Sequence, residues 1–326
     1  MLTVYLDQMK WIDLARAETG HALGAPFVEA LEVFKRAAAD GQARFPLSSA
    51  HYFETGKQRE PRRRKELSAA MTRLSGTLRI APPHVIVPWE IRRALIEVLD
   101  LSINVAPLEL FGRGVAHAMA SPSLRYTAPL EYEGRQLAEP LRRDLEKLVE
   151  PEFEELILAS ITPEGVPHEM RLVLSDFKRL TDDRFVSGQN YVAKEISKLG
   201  RRRLDDVMLG TAFADIIDPL LAAAQELGVS LDDDIFDRGR MTKLIERMPS
   251  RWVEMMLRRQ RQANPQKIWH GNDLNDVAAL AIAVPYCDVV VTERSWSAML
   301  NAAKVPQRFG TIVTPHLRDV IDLLEG

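Results

Sequence analysis

Four acidic residues, Asp7, Glu54, Asp276 and Glu293, stand where a divalent cation could be gripped. Asp7 directly follows Met1 to Leu6, a run that is apolar except for Thr3 and reads as a short buried strand. Glu54 falls in a helix after a second strand candidate, Phe45-Pro46-Leu47, with Ser48 and Ser49 available as caps. Asp276 starts an apolar helix, Leu274 to Val284, that precedes the buried strand Asp288-Val-Val-Val-Thr292. Thr292 and Glu293 directly follow that strand. In a parallel α/β sheet, ligands collect beyond the carboxyl ends of the strands, so these positions predict one acidic rim. Like charges that close repel and raise one another's pKa, and a divalent cation removes the conflict. Oxygen donors in this number suit Mg²⁺ or Mn²⁺ rather than zinc. Such a site activates water and stabilises an in-line displacement at phosphorus.

Neighbouring residues have narrower roles. Asp273 lies three residues before Asp276 and admits two readings, a further metal ligand or a carboxylate that caps the helix and favours its dipole. Thr292 can orient a carboxylate or a metal-bound water by hydrogen bonding. Residues 56–66 hold six Lys or Arg against two Glu, and 251–267 hold five against one. If the first run lies beside the acids, Lys57, Arg59, Arg62 and Arg63, with Arg64, can hold a nucleic-acid backbone without reading sequence. Taken alone, such a run is more often a solvated helix face. Trp269 and Tyr286 are expected in the core, His51 and His270 carry no assigned role, and Asp288 is expected to enter its strand at the opposite end of the sheet. The acids Asp232-Asp233-Asp234 read as a solvated loop or helix start.

The elements that must position these groups follow from periodicity. Helices are expected from Met9 to Ala17 and from Pro26 to the Asp40-Gly41 stop. Leu78 to Ile80 and Val85 to Val87, split by Pro82 and Pro83, offer one more strand. From Pro88 to about Gln266 the pattern is helical, as in Ile91–Leu101, Leu137–Val149, Leu204–Leu227 and Met241–Arg261. The tail then alternates: helix Arg294–Ala303, strand Gly310-Thr-Ile-Val313, helix Pro315–Leu324. Alternation argues for an α/β fold with a central, mainly parallel sheet and helices on both faces. Residues 1–88 and 267–326 would form one discontinuous domain, with 89–266 as a large all-helical insertion.

The bulk numbers bound the rest. A chain of 326 residues, 46% apolar, can bury a sizeable core. No stretch of about 20 uncharged apolar residues occurs and no basic leader precedes an apolar run, so a cytoplasmic protein with no membrane span is expected. A net charge of −3 argues against a basic nucleic-acid binder overall. Cys287 is the only cysteine, which excludes an intramolecular disulfide and a cysteine-rich zinc site, and it reads as a core residue.

The segments VYLDQMKWIDLA, SSAHYFETGK and GNDLNDVAALAIAVPYCDVVVTE resemble the three acidic motifs of PIN-like ribonucleases. The resemblance covers roughly residues 1–75 and 268–326 and leaves the middle block unexplained. It implies a three-layer α/β/α fold, Mg²⁺ or Mn²⁺, and endonucleolytic cleavage of RNA. Many members are toxins of toxin–antitoxin modules, inhibited by a protein that occludes the site. The separation of Asp276 and Thr292 fits the family. One departure stands out: many members place an Asp two residues after the Thr, where this chain has Arg294, and the acid here is Glu293.

The first reading is therefore a metal-dependent endoribonuclease using Asp7, Glu54, Asp276 and Glu293, with Asp273 as a further candidate. The helical middle would shape access, mediate homo-oligomer formation or receive an inhibitor. The second is a catalytically inactive PIN-like interaction module, suggested by the displaced fourth acid. The third, a phosphatase with Asp7 as nucleophile, wants a second acid two residues on, where Met9 stands.

Overall fold

The computed structural model describes residues 1–160, 168–231, 233–264 and 268–326; Asp232 and the proposed boundary at 266/267 lie outside the described residues. The chain opens with β1 (Leu2–Leu6), α1 (Gln8–Glu18) and a 3₁₀ turn over Ala22–Phe27. It continues through α2 (Val28–Ala39), β2 (Ala43–Arg44), α3 (Ser49–Gly56) and α4 (Pro61–Ser75) to β3 (Leu78–Ile80). The middle carries α5 (Pro83–Val98), β4 (Phe111–Arg113), α6 (Gly114–Ala118), β5 (Glu131–Tyr132), β6 (Arg135–Gln136), α7 (Glu139–Ser160) and α8 (His168–Leu199). It ends with α9 (Leu204–Ala214), α10 (Ile217–Glu226), α11 (Arg238–Glu246) and α12 (Pro249–Gln262). The last part holds α13 (Asn272–Tyr286), β7 (Val289–Val291), α14 (Arg294–Ala302), α15 (Val305–Phe309), β8 (Ile312–Thr314) and α16 (Leu317–Glu325).

Strands from the two ends of the chain form one parallel sheet in the order β2-β1-β7-β8. Leu6 pairs with Val291, and Val291 with Thr314, so the residues that follow these strands emerge side by side. Period-two alternation explains how both faces are covered. Val4, Leu6, Val289 and Val291 point into a core that includes residues of α1, α2, α4 and α16. Tyr5, Val290 and Val313 point into another that includes residues of α12, α13 and α14. Val289, Val290 and Val291 are each at most 1% exposed, which accounts for an unbroken apolar run instead of an alternating one.

The middle block departs from an all-helical insertion. β4 pairs antiparallel with β3, and β5 with β6. The second pair is a hairpin whose turn residues, Glu133 and Gly134, both have positive φ (47° and 76°), as a type I′ turn requires. Only part of the block has its own core, in which α5, α9, α10 and α11 contribute apolar residues. Val115, Ala118 and Leu158 instead complete one sheet-facing core, and Phe185, Val253 and Leu257 the other. Leu204–Leu227 is two helices bent by 51°, and Met241–Arg261 breaks ahead of Pro249, which starts α12. Val85–Val87 is helical because Pro83 sits at the first turn of α5, where proline's missing N–H costs nothing. Among the described residues no single helix is long and apolar enough to cross a membrane.

One buried network ties the middle block to the helix that bears Glu54. Glu154 on α7 accepts from Tyr52 Oη at 2.6 Å, Arg79 Nη2 at 2.9 Å and the Val115 backbone at 2.6 Å. Arg79 and Glu154 are 0% and 2% exposed, so each compensates a charge that water cannot reach.

Candidate functional site

Asp7 caps α1: its Oδ1 accepts from the Gln8 backbone N–H at 2.6 Å. Its Oδ2 accepts from the Thr292 hydroxyl at 2.9 Å, and the Glu293 backbone N–H donates to the same carboxyl group. Thr292 is fully buried at the end of β7 and its backbone donates to Thr314 at 3.0 Å. The hydroxyl is thus fixed and holds Asp7 across the β1–β7 pair, as anticipated for a residue that orients a carboxylate. Despite these donors, burial raises the Asp7 pKa above the usual carboxylate value.

Glu54 is presented by α3, whose start is pinned twice. Ser48 donates its backbone N–H to His51 Nδ1 at 2.9 Å, and His51 Nε2 donates to the Leu6 carbonyl at 2.9 Å. His51 therefore locks α3 onto the end of β1, one residue before Asp7. Burial lowers its pKa to about 4, so it works as a neutral hydrogen-bonding ring. Glu54 itself has its pKa raised to about 7, first by burial and then by Asp7, Asp276 and Glu293.

Asp276 sits one turn inside α13 and does not open it, since the helix begins at Asn272. Its Oδ2 accepts from Trp296 Nε1 at 3.2 Å. Burial, followed by repulsion from Asp7, raises its pKa to about 7, and Glu293 and Asp273 add to the effect. Glu293, exposed at the start of α14, is also raised, by burial and by Asp7. Residues from four separate elements therefore push on one another electrostatically at the carboxyl end of the sheet. Among the described residues none of the four has an ion-pair partner.

The two readings of Asp273 separate here. Its Oδ2 accepts from the His270 backbone N–H at 2.7 Å, a capping contact, and from Arg261 Nη2 at 2.5 Å. The guanidinium already balances its charge, which removes the electrostatic reason for a metal ligand there. The first basic run is divided in the same way. Arg62 pairs with Glu66 and Arg63 with Glu60 on the surface. Arg64 is buried and donates to the Gln58 carbonyl at 2.8 Å. Lys57, which lowers the Glu54 pKa, and exposed Arg59 remain beside α3 as cations able to face a polyanion.

Other residues have structural partners. Trp269 is buried, and Tyr286 donates to Glu90 at 2.5 Å. Asp288 Oδ2 accepts from the Thr3 backbone at 2.7 Å, at the far end of the sheet. Burial pushes the Cys287 thiol pKa up, which makes it a poor nucleophile. Sequence reasoning did not find Trp296, Arg261 or Lys10 as site residues. Lys10 and Trp296 carried a local signal, standing three residues after Asp7 and Glu293; Arg261 reaches Asp273 through tertiary packing.

Among the described residues no group of three or more His, Cys, Asp or Glu side chains is gathered into a ligand cluster. The donor set nevertheless fits a hard cation: all-oxygen, half-buried except for exposed Glu293, mutually repelling and without an ion-pair partner among the described residues. Against protein-family models, curated proteins and solved structures, the chain gives no match.

Proposed function

We propose that this chain is a Mg²⁺- or Mn²⁺-dependent endoribonuclease with a PIN-like α/β/α arrangement. The observation that carries the reading is the pair Glu54 and Asp276. Both are raised to about 7 in a rim where Asp7 and Glu293 add further negative charge. Such a rim is least costly when a cation neutralises it. Asp7, Glu54, Asp276 and Glu293 would hold the ion. When bound, a divalent cation acidifies water and stabilises charge developing on phosphoryl oxygens. Thr292 keeps Asp7 aimed into the rim, Trp296 does the same for Asp276, and His51 fixes the helix that carries Glu54. RNA as substrate, and a role as the toxin of a toxin–antitoxin or defence system with a protein inhibitor, rest on the family resemblance.

The test is cleavage of a mixed RNA pool with Mg²⁺, Mn²⁺ or chelator. Cleavage should require metal, disappear in Asp276→Asn and persist in Asp144→Asn, a change at a 75% exposed acid on α7. Metal-independent cleavage, or equal activity in both variants, overturns the proposal. An inert protein whose acids still bind Mn²⁺ would favour the interaction-module reading.

A further inference from the structure

A groove of about 370 Å³ opens at the other flank of the acidic rim from α3, lined among others by Lys10, Phe27, Glu29, Arg294, His316 and Arg318. Its position follows from the sheet. Asp7, Thr292 and Pro315 follow the ends of β1, β7 and β8, three adjacent strands whose register is Leu6, Val291, Thr314. Lys10 projects from the first turn of α1, Arg294 directly follows Glu293, and His316 follows Pro315. Lys10 is near enough to lower the pKa of both Asp7 and Glu293. Arg318 is engaged, donating to Glu29 at 2.7 Å and Asp322 at 3.1 Å. Among the described residues Lys10 and Arg294 have no ion-pair partner. Two cations without an ion-pair partner among the described residues thus border a rim of carboxylates, α2 contributes Glu29 and Ala30 to the wall of the groove, and Phe27 offers a partly buried ring.

We infer that this groove is the subsite for the nucleic-acid backbone next to the scissile bond, with Lys10 and Arg294 each contacting a phosphate of a single-stranded RNA. This rests on the nuclease reading and specifies how its substrate runs: from the cations beside α3, over the acids, into the groove. A strand crossing the four acids needs positive charge on both sides, because the acids repel phosphates wherever no metal intervenes. Arg294 directly follows Glu293 and lines the groove, so a cation stands beside the last acid of the rim. Phe27 can take a base face without reading sequence.

The test reads binding separately from turnover. A labelled single-stranded RNA is titrated by anisotropy with wild-type protein in EDTA and with Asp276→Asn protein in Mg²⁺, between about 50 and 200 mM salt. Each lost phosphate contact should reduce the slope of log K against log salt by about 0.7 for a single strand. Lys10→Gln and Arg294→Gln should each show that reduction, and the double variant twice as much. Lys198→Gln, at an exposed ion pair on α8, should show none. Unchanged slopes in both groove variants, or no binding by the wild type, overturn the inference. Slopes that fall as expected in a protein that never cleaves RNA would keep the groove and sink the nuclease reading. Cleavage by wild type with unchanged slopes would do the reverse.

Discussion

Arg261 Nη2 donates to Asp273 Oδ2 at 2.5 Å, while the same guanidinium lies 5.2 Å from the ring centroid of Trp296. Trp296 in turn donates its indole N–H to Asp276. One cation from α12 therefore organises two acids of α13, the first by direct pairing and the second through an aromatic ring that it supports. The side chains of Arg261 and Asp273 are only 10% and 12% exposed, so water does little to screen either charge.

That burial makes Arg261 a sensitive site. Arg261→Met keeps most of the side-chain volume but leaves Asp273 as a buried charge without a partner. Breaking a buried pair from one side costs roughly 3–5 kcal/mol, whereas replacing both partners with apolar groups is often neutral. The single variant should shift the urea midpoint strongly, and Arg261→Met combined with Asp273→Leu should recover most of the loss. A single variant as stable as wild type would show that the pair holds nothing together.

The raised acids predict an unusual pH dependence. Glu54 and Asp276 move from ordinary values of 4.5 and 3.8 to about 7 in the folded chain. Between those limits the folded state binds more protons than the unfolded state. Stability of metal-free protein should therefore fall as pH rises from about 4 to about 7, the opposite of a carboxylate held in a salt bridge. Chemical denaturation in EDTA at pH 5 and pH 8 should show the higher midpoint at pH 5. The difference should shrink in Glu54→Gln combined with Asp276→Asn. If these acids hold the metal, adding Mn²⁺ should stabilise the protein more at pH 8, where they are ionised, than at pH 5. Metal-free stability that rises across this window would contradict the repulsion at the rim.

How much of this was legible in the sequence depends on the range of the interactions. The apolar run Val289–Val291 and the segment ending at Leu6 announced parallel strands, because residues buried on both faces leave no polar alternation. Asp7 and Asp276 were legible as strand-end and helix acids, since an acid in an apolar segment has few other uses. The start of α13 was placed two residues late because its N-cap is Gly271, which offers no side-chain capping signal. The strands at Phe111–Arg113 and Glu131–Gln136 were missed because they are two or three residues long, too short for a period-two signal. Arg62 and Arg63 counted as basic charge in the sequence, but their ion pairs with Glu66 and Glu60 are contacts a charge sum does not resolve. The groove cations could not be grouped at all, because Lys10 and Arg294 are brought together only by pairing of β1 with β7.

Thr292 offers the sharpest test of how the rim is set. Its hydroxyl donates to Asp7 Oδ2 at 2.9 Å from a fully buried position. Thr292→Val keeps the shape and removes that donor, so the Asp7 carboxylate loses a hydrogen bond that favours its charged form. Its pKa, already raised by burial, should climb further. A protonated or misaimed Asp7 holds a cation less well, and loss of a supporting hydrogen bond of this kind typically costs about 10–100-fold in metal affinity or activity. Calorimetric titration with Mn²⁺ should therefore show that drop at pH 7, shrinking as pH rises because the carboxylate ionises again. Thr292→Ser retains the hydroxyl and should bind nearly as the wild type does. If the valine variant bound Mn²⁺ with unaltered affinity and pH profile while remaining folded, Asp7 would have to be taken out of the ligand set.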